Sequence, residues 1–214
     1  MRIALPGYER NLKYYLAALT GIGLEPAITL DPADAPGCAG LLLPGGGDID
    51  PALYHEENRG SADIDRPLDE AQLAMADAFV RAGKPVLGIC KGEQVLNVLF
   101  GGGLIQHLAV AEAHRFRDGD SVHECVSLPG TDMERLYGRR YPVNSSHHQG
   151  LGRIGAGLRA TSFAPDGTVE SVAHDTLPVF GVQWHPERMC FAKARPDTVD
   201  GTAVLLYFRS LLMR

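Results

Sequence analysis

The sequence predicts a single α/β domain built on an open, mixed, mostly parallel sheet flanked by helices. In the first half, short apolar runs alternate with amphipathic stretches, the pattern of strands crossing over through helices. Pro85 to Ile89 is an unbroken apolar run, as expected of a strand buried on both faces of a parallel sheet. The second half carries further strand patterns, joined by connections too short for repeated crossover helices.

Taken in order, Arg2 to Leu5 reads as the first strand. Asn11 to Leu19 is helical, with Leu12, Tyr15, Leu16 and Leu19 on one face and Gly21 closing it. Glu25 to Leu30 and Gly40 to Leu43 are strands, and the latter runs into Pro44-Gly45-Gly46-Gly47-Asp48. Asp48 to Asp65 is polar and irregular, and is expected to be a surface excursion. Leu68 to Ala82 is an amphipathic helix in which Asp69 and Glu70 suit the first-turn dipole. Helical spacing resumes at Gly92 with Val95, Leu96, Val98 and Leu99, until Gly101-Gly102-Gly103 stops it. Val122 to Leu128, Leu158 to Phe163, Val169 to Ala173 and Val179 to Trp184 have strand patterning. Pro165-Asp166-Gly167 joins two of these as a hairpin. Thr202 to Leu212 is the final helix. There is no internal repeat and no linker, so residues 1–214 are taken as one domain.

The chain is 45% apolar and 21% charged, a globular balance, and its net charge of -6 argues against general nucleic-acid binding. Met1 to Pro6 is too short for a signal-peptide core. No stretch approaches the roughly 20 apolar residues needed to span a bilayer. Cys38, Cys90, Cys125 and Cys190 show no paired spacing, which suits reduced thiols. A soluble cytoplasmic protein with no membrane contact is expected.

Chemistry concentrates in three places. Cys90 sits at a strand-to-helix corner with Gly88 and Gly92 on either side, the spacing of a nucleophile elbow. The helix N-terminus beneath it favours thiolate over thiol. The Gly45-Gly46-Gly47 loop lies at another strand's carboxyl end, where ligands bind in open α/β sheets, and could aim backbone N–H groups at an oxyanion. It lacks the Lys-Ser/Thr ending of a phosphate-binding P-loop. His185-Pro186-Glu187 ends an apolar strand and pairs an imidazole with a carboxylate, as a cysteine nucleophile requires. Read singly, each also fits a blander role: a core cysteine, a plain turn, a solvated loop. In Asn144-Ser145-Ser146-His147-His148-Gln149, adjacent histidines would face opposite ways if extended. Substrate contact there is favoured over metal ligation, and no metal or organic cofactor is expected. His107, His114, His123 and His174 read as structural or exposed, and Cys190 as packing.

Together these stretches resemble the class I glutamine amidotransferase superfamily, whose fold is flavodoxin-like. The residues in question are Pro44-Gly45-Gly46-Gly47-Asp48, Gly88-Ile89-Cys90-Lys91-Gly92-Glu93-Gln94 and Gln183-Trp184-His185-Pro186-Glu187. Within it, Gly47-Asp48-Ile49-Asp50-Pro51, Gly102-Gly103-Leu104-Ile105-Gln106 and Val143 to Gln149 look most like the peptidase C26 branch, which includes gamma-glutamyl-gamma-aminobutyrate hydrolase. The resemblance implies a hydrolase that releases glutamate from small γ-glutamyl amides through a thioester. Cys90 would be the nucleophile, His185 the acid–base group, and Glu187 its orienting partner. Backbone N–H groups of Gly46 and Lys91 would form the oxyanion hole, with Gly47, Gln94, Ser146 and His147 about the γ-glutamyl pocket. A glutaminase subunit serving a separate synthetase, and a non-catalytic γ-glutamyl binder, are the alternatives. A second copy of the chain is the macromolecular partner expected. Two positions depart from the branch: Lys91 replaces the more usual arginine, and Glu93 an apolar residue, with an expected effect on the pocket.

Overall fold

The computed structural model describes residues 1–214. In the first half, β1 (Arg2–Leu5), α1 (Lys13–Gly21), β2 (Glu25–Ile28), β3 (Gly40–Leu43), α2 (Arg66–Arg81), β4 (Val86–Ile89) and α3 (Lys91–Leu99) follow the expected alternation. After these come β5 (Leu104–Ile105), α4 (Ala111–His114), β6 (Ser121–Ser127), α5 (Asp132–Tyr137), β7 (Arg140–Ser145) and β8 (Gly150–Leu151). The chain closes with β9 (Leu158–Phe163), β10 (Val169–His174), β11 (Val179–Val182) and α6 (Thr202–Leu211).

Nine strands form one mixed sheet in the order β2-β1-β3-β4-β11-β10-β9-β6-β7. From β2 to β11 the neighbours are parallel, and from β11 to β7 they are antiparallel. β5 and β8 make a separate two-stranded ribbon. The expected hairpin is β9–β10, turning at Pro165-Asp166-Gly167.

The central parallel strands β3, β4 and β11 are apolar throughout because both their faces are covered. Leu42, Leu87, Ile89, Phe180 and Val182 point to one side, where they meet Tyr15 and Leu19 of α1 and Val204, Leu205 and Phe208 of α6. Their neighbours Leu41, Leu43, Val86 and Val179 point to the other, against Met75, Ala76 and Phe79 of α2 and Val95 and Leu96 of α3. The period of two in the strands and the helical stripes thus close two cores around one sheet. α2 starts where Asp65 accepts a hydrogen bond from the Leu68 N–H at 3.1 Å, just ahead of Pro67 in the first turn.

Three expectations need correction. β7 is absent from the strands read in the sequence because Pro142 interrupts its apolar run; the strand is the last in the sheet, an edge position that tolerates proline. The Asp48–Asp65 stretch is not wholly superficial, since Asp48, Ile49, Pro51 and Tyr54 are buried. Asp48 draws the segment inward by accepting from the Ala62 N–H at 2.7 Å and pairing with His148 at 3.0 Å. Finally, first-turn dipole chemistry does not explain Asp69, which is fully buried against Lys91.

Candidate active site

The nucleophile position is built by β4 and α3. Cys90 has φ 53° and ψ -109°, a left-handed conformation that costs a non-glycine residue roughly 1–3 kcal/mol and marks functional corners. The flanking glycines are sterically required. A Cβ at Gly88 would lie 2.5 Å from the Gly92 carbonyl, and one at Gly92 would lie 2.2 Å from the Leu43 carbonyl oxygen. The elbow therefore packs backbone on backbone, and only glycine lets β4, β3 and α3 close this tightly.

His185 reaches the same corner from the neighbouring strand. β11 is in parallel register with β4, pairing Val182 with Ile89, and the Cys90 N–H donates to the Val182 carbonyl at 2.8 Å. Three residues further on, His185 Nδ1 is 2.8 Å from Glu187 Oε1. Asn144 on β7 clamps the histidine backbone from both sides: its Oδ1 accepts from the His185 N–H at 2.9 Å, and its Nδ2 donates to the His185 carbonyl at 3.1 Å. Arg188 lies 3.4 Å from Glu187 and 2.7 Å from Asp120, which also accepts from Asn144. These contacts hold the row Cys90–His185–Glu187 in a buried setting.

The glycine loop covers that row. The Gly45 N–H donates to the Tyr15 hydroxyl at 2.9 Å, and a Cβ on Gly45 would sit 3.0 Å from His185 Cε1 and 3.4 Å from Cys90 Cβ. A Cβ on Gly46 would fall 3.2 Å from Lys91 Cδ, so this loop lies directly against the elbow helix. Lys91 is itself 2% exposed and ion-paired to Asp69 at 2.5 Å, while Asp69 also accepts from the Asp50 N–H. A crevice of about 420 Å³ opens here, lined by Gly45, Gly46, Gly47, Cys90, Ser146 and His185 among others.

The sequence candidates thus fall into two groups. Cys90, His185, Glu187, Gly46, Gly47 and Ser146 share the crevice. Gln94 and His147 are not among its lining residues: the Gln94 amide donates to Gln183 Oε1 at 3.0 Å, and His147 turns inward to the Gln149 carbonyl and toward Glu170. His148 turns instead to Asp48. Glu93 packs against Gly181 beneath the sheet rather than in the crevice; burial, reinforced by Glu170 and Cys90, pushes its carboxyl well above the usual range. His114 is buried and His123 nearly so, and both approach Glu170. Tyr15, Asp69, Asp120, Asn144 and Arg188 carry positioning roles that no local pattern announced; only Asn144 stood inside a polar cluster worth suspecting.

Electrostatics favour an ion pair at the centre. Burial alone would raise the Cys90 thiol, but the His185 charge and hydrogen bond outweigh it, helped by His147 and Arg188, and hold the thiol below its ordinary 9.0. Burial disfavours the His185 imidazolium, yet Glu187 and the Cys90 sulfur more than reverse this and raise its pKa well above the ordinary 6.5. Both shifts widen the pH range over which thiolate and imidazolium coexist. Iodoacetamide alkylation of Cys90 should therefore rise with pH to a midpoint below 9.0, and His185→Ala should move that midpoint upward, because burial is then opposed only by His147 and Arg188.

Comparison with known proteins places the chain in a family and a fold. The peptidase C26 family profile matches residues 35–187. The chain is 39% identical over 159 residues to protein NtpR of Enterococcus hirae, covering 69% of this chain and 66% of that protein. It is 32% identical over 162 residues to the gamma-glutamyl-gamma-aminobutyrate hydrolase PuuD of Escherichia coli K12, covering 69% and 63% respectively. In both cases the chain spans somewhat less than two thirds of the relative's length. The fold is shared with a glutamine amidotransferase from Thermotoga maritima, with a TM-score of 0.64 at 15% identity, over 87% of this chain and 75% of that one. The chain belongs to the peptidase C26 family, a branch of the class I glutamine amidotransferase-like superfamily.

Proposed function

We propose that the protein is a cysteine hydrolase of γ-glutamyl amides, releasing glutamate and a small amine. The observation that carries this reading is the buried row of Cys90, His185 and Glu187 beneath the Gly45–Gly47 loop. Kinship with an Escherichia coli gamma-glutamyl-gamma-aminobutyrate hydrolase supports the substrate class.

In this reading the Cys90 thiolate attacks the γ-carbonyl carbon, and the carbonyl oxygen becomes an oxyanion facing the amides of Gly46 and Lys91. Lys91 is the first residue of α3, so its N–H has no partner four residues back and the helix dipole points at the same spot. Such a preorganised donor contributes about 2.7–4 kcal/mol to transition-state stabilisation. The imidazolium of His185 gives its proton to the departing nitrogen, the C–N bond breaks, and a thioester remains on Cys90. Water then loses a proton to His185 as its oxygen attacks the thioester carbon; the C–S bond breaks and glutamate leaves. Glu187 keeps the Nδ1–H of His185 engaged throughout, so that Nε2 does the proton transfer.

Arg188 also lines an adjoining crevice of about 360 Å³, together with Tyr14, Phe116, Asp120, Lys193 and Arg195. Arg188 pairs there with Asp120 and Glu187, and Arg195 with Asp197, which leaves Lys193 over the Tyr14 ring as the cation that suits a leaving amine carrying an acid, as γ-aminobutyrate does. Glutamate release should be measured from glutamine, γ-glutamyl-γ-aminobutyrate, γ-glutamyl-putrescine and γ-glutamyl peptides. Turnover of an acidic amide in preference to γ-glutamyl-putrescine is expected. Lys193→Gln should raise KM for the acidic amide about 1.4–5-fold with kcat held, and spare the cationic one, since an exposed charge contact is worth only about 0.2–1 kcal/mol. Turnover of glutamine alone would favour a glutaminase subunit, and silence across the panel would sink the hydrolase reading.

A further inference from the structure

Behind the wall of the crevice, four residues from separate segments converge: His114 of α4, His123 of β6, His147 of the β7–β8 connection and Glu170 of β10. Glu170 Oε1 lies 3.3 Å from His123 Nε2, 3.7 Å from His147 Nε2 and 3.7 Å from His114 Nδ1. One ligand atom from each residue lies within 4.8 Å of all the others. Glu170 is fully buried, and neither of its oxygens has a hydrogen-bond partner; the same holds for the inner nitrogens of His123 and His147.

The outer nitrogens explain why. His147 Nδ1 is 2.9 Å from the Gln149 carbonyl, and His123 Nδ1 is 3.2 Å from the Glu124 carbonyl. A carbonyl only accepts, so each of those nitrogens carries the hydrogen and, in the neutral ring, the inner nitrogen presents a lone pair. His114 Nε2 meets the Asp166 carboxylate at 2.8 Å, which places its hydrogen outside too; its inner Nδ1 is 3.2 Å from the Ser145 hydroxyl. With all three rings neutral, three imidazole lone pairs and a carboxylate face a common space with no donor among them apart from the Ser145 hydroxyl at the rim. Acceptors converging in a buried space repel one another unless a proton or a metal cation lies between them, and a single proton can bridge only one of the three histidines to Glu170. The inner distances are longer than the 2.7–2.9 Å typical of charge-assisted hydrogen bonds. The three distances from Glu170 Oε1, at 3.3, 3.7 and 3.7 Å, are close to the roughly 3.4 Å edge of a tetrahedron drawn with zinc–ligand bonds of about 2.0–2.1 Å.

We propose that His114, His123, His147 and Glu170 form a structural zinc site, with Asp166, Gln149 and Glu124 as the outer partners that fix the imidazole tautomers. Four protein ligands in a buried setting leave no open position, which is the pattern of a structural rather than a catalytic ion. Carboxylate–imidazole–metal relays such as Asp166–His114 are the usual means of orienting a ligand ring. The ion ties α4, β6, β10 and the segment after β7 together. That segment carries Ser146 in the crevice, and β7 carries the Asn144 clamp on His185.

The test uses the full chain bearing no added histidines. Metal content after gel filtration should be close to one zinc per chain. After chelation, cobalt should restore one equivalent with the visible bands of tetrahedral Co²⁺, and zinc should raise the Tm of the chelated protein. Glu170→Gln and His123→Ala should each abolish stoichiometric binding. Should either fail to fold, Asp166→Ala at the exposed hairpin turn is the milder variant, expected to weaken zinc affinity about 10–100-fold. A chelated protein that takes up no zinc and shows no change in Tm on its addition overturns the proposal. So does zinc uptake that Asp166→Ala and His123→Ala leave unchanged. Neither readout depends on whether the γ-glutamyl hydrolase reading holds.

Discussion

Cys90→Ala is expected to lower glutamate release about ten-thousand-fold or more, leaving the residual rate that binding and the oxyanion donors supply alone. The sulfur is the nucleophile coupled to His185 beneath the glycine loop. The substitution keeps Cβ and therefore the backbone strain at φ 53°, so the fold should persist with a Tm near that of the parent. A continuous glutamate assay beside a thermal melt checks both halves. Retained turnover would remove Cys90 from the mechanism, whereas lost turnover with a collapsed Tm would leave catalysis and folding confounded. In that case Cys90→Ser, which changes a single atom, should give the same loss of rate on an intact fold.

The largest expected stability effect lies one residue along. Asp69→Asn should destabilise the protein by about 3–5 kcal/mol, since it leaves the Lys91 ammonium buried without its counter-charge. That is a large share of the about 5–15 kcal/mol that holds an ordinary domain together. The contact is short, at 2.5 Å, and both side chains are within 2% of complete burial, so water cannot step in for the lost carboxylate. Urea unfolding should show a lower midpoint with an unchanged slope. Replacing both partners, Asp69→Leu with Lys91→Met, should recover much of the loss because no orphaned charge remains. If Lys91 serves the oxyanion through its backbone alone, the double variant should also keep most of its kcat. A single variant as stable as the parent would mean that the pair contributes little to the folded state.

Much of the architecture is legible in the chain because its signals are local. Pro85 to Ile89 announces a doubly buried strand, and Gly88-Ile89-Cys90-Lys91-Gly92 a tight corner, since the physics that demands those residues acts within a few positions. His185-Pro186-Glu187 is readable for the same reason. What escaped depends on contacts between distant segments. Nothing about Tyr15 foretells that its hydroxyl holds Gly45, thirty residues away. Asn144 and Asp120 act on His185 and Arg188 across 41 and 68 residues. Asp69 looked like an ordinary first-turn acid because the partner that makes it internal arrives on another helix. The histidines misled for a related reason. His147 and His148 do diverge, but His147 finds His114, His123 and Glu170 at no spacing that metal motifs use. Ligand sets drawn from several segments of an antiparallel sheet leave no short signature. Pro142 hid β7, and with it the element that supports the histidine.

The hydrogen bond from the Cys90 amide to the Val182 carbonyl fixes the nucleophile to the end of the strand from which His185 follows three residues later. Nucleophile and base each stand just beyond a strand end, and the Asn144 clamp on the His185 backbone ties the short segment after β11 back to β7. They share the fate of the central β4–β11 pairing, and local fluctuations open the rim of such a structure long before its middle. The pair is thus assembled wherever the sheet is. Any gating of turnover is left to the glycine loop and the segments above it, so the reaction centre should be the most persistent part of the molecule and its entrance the most changeable.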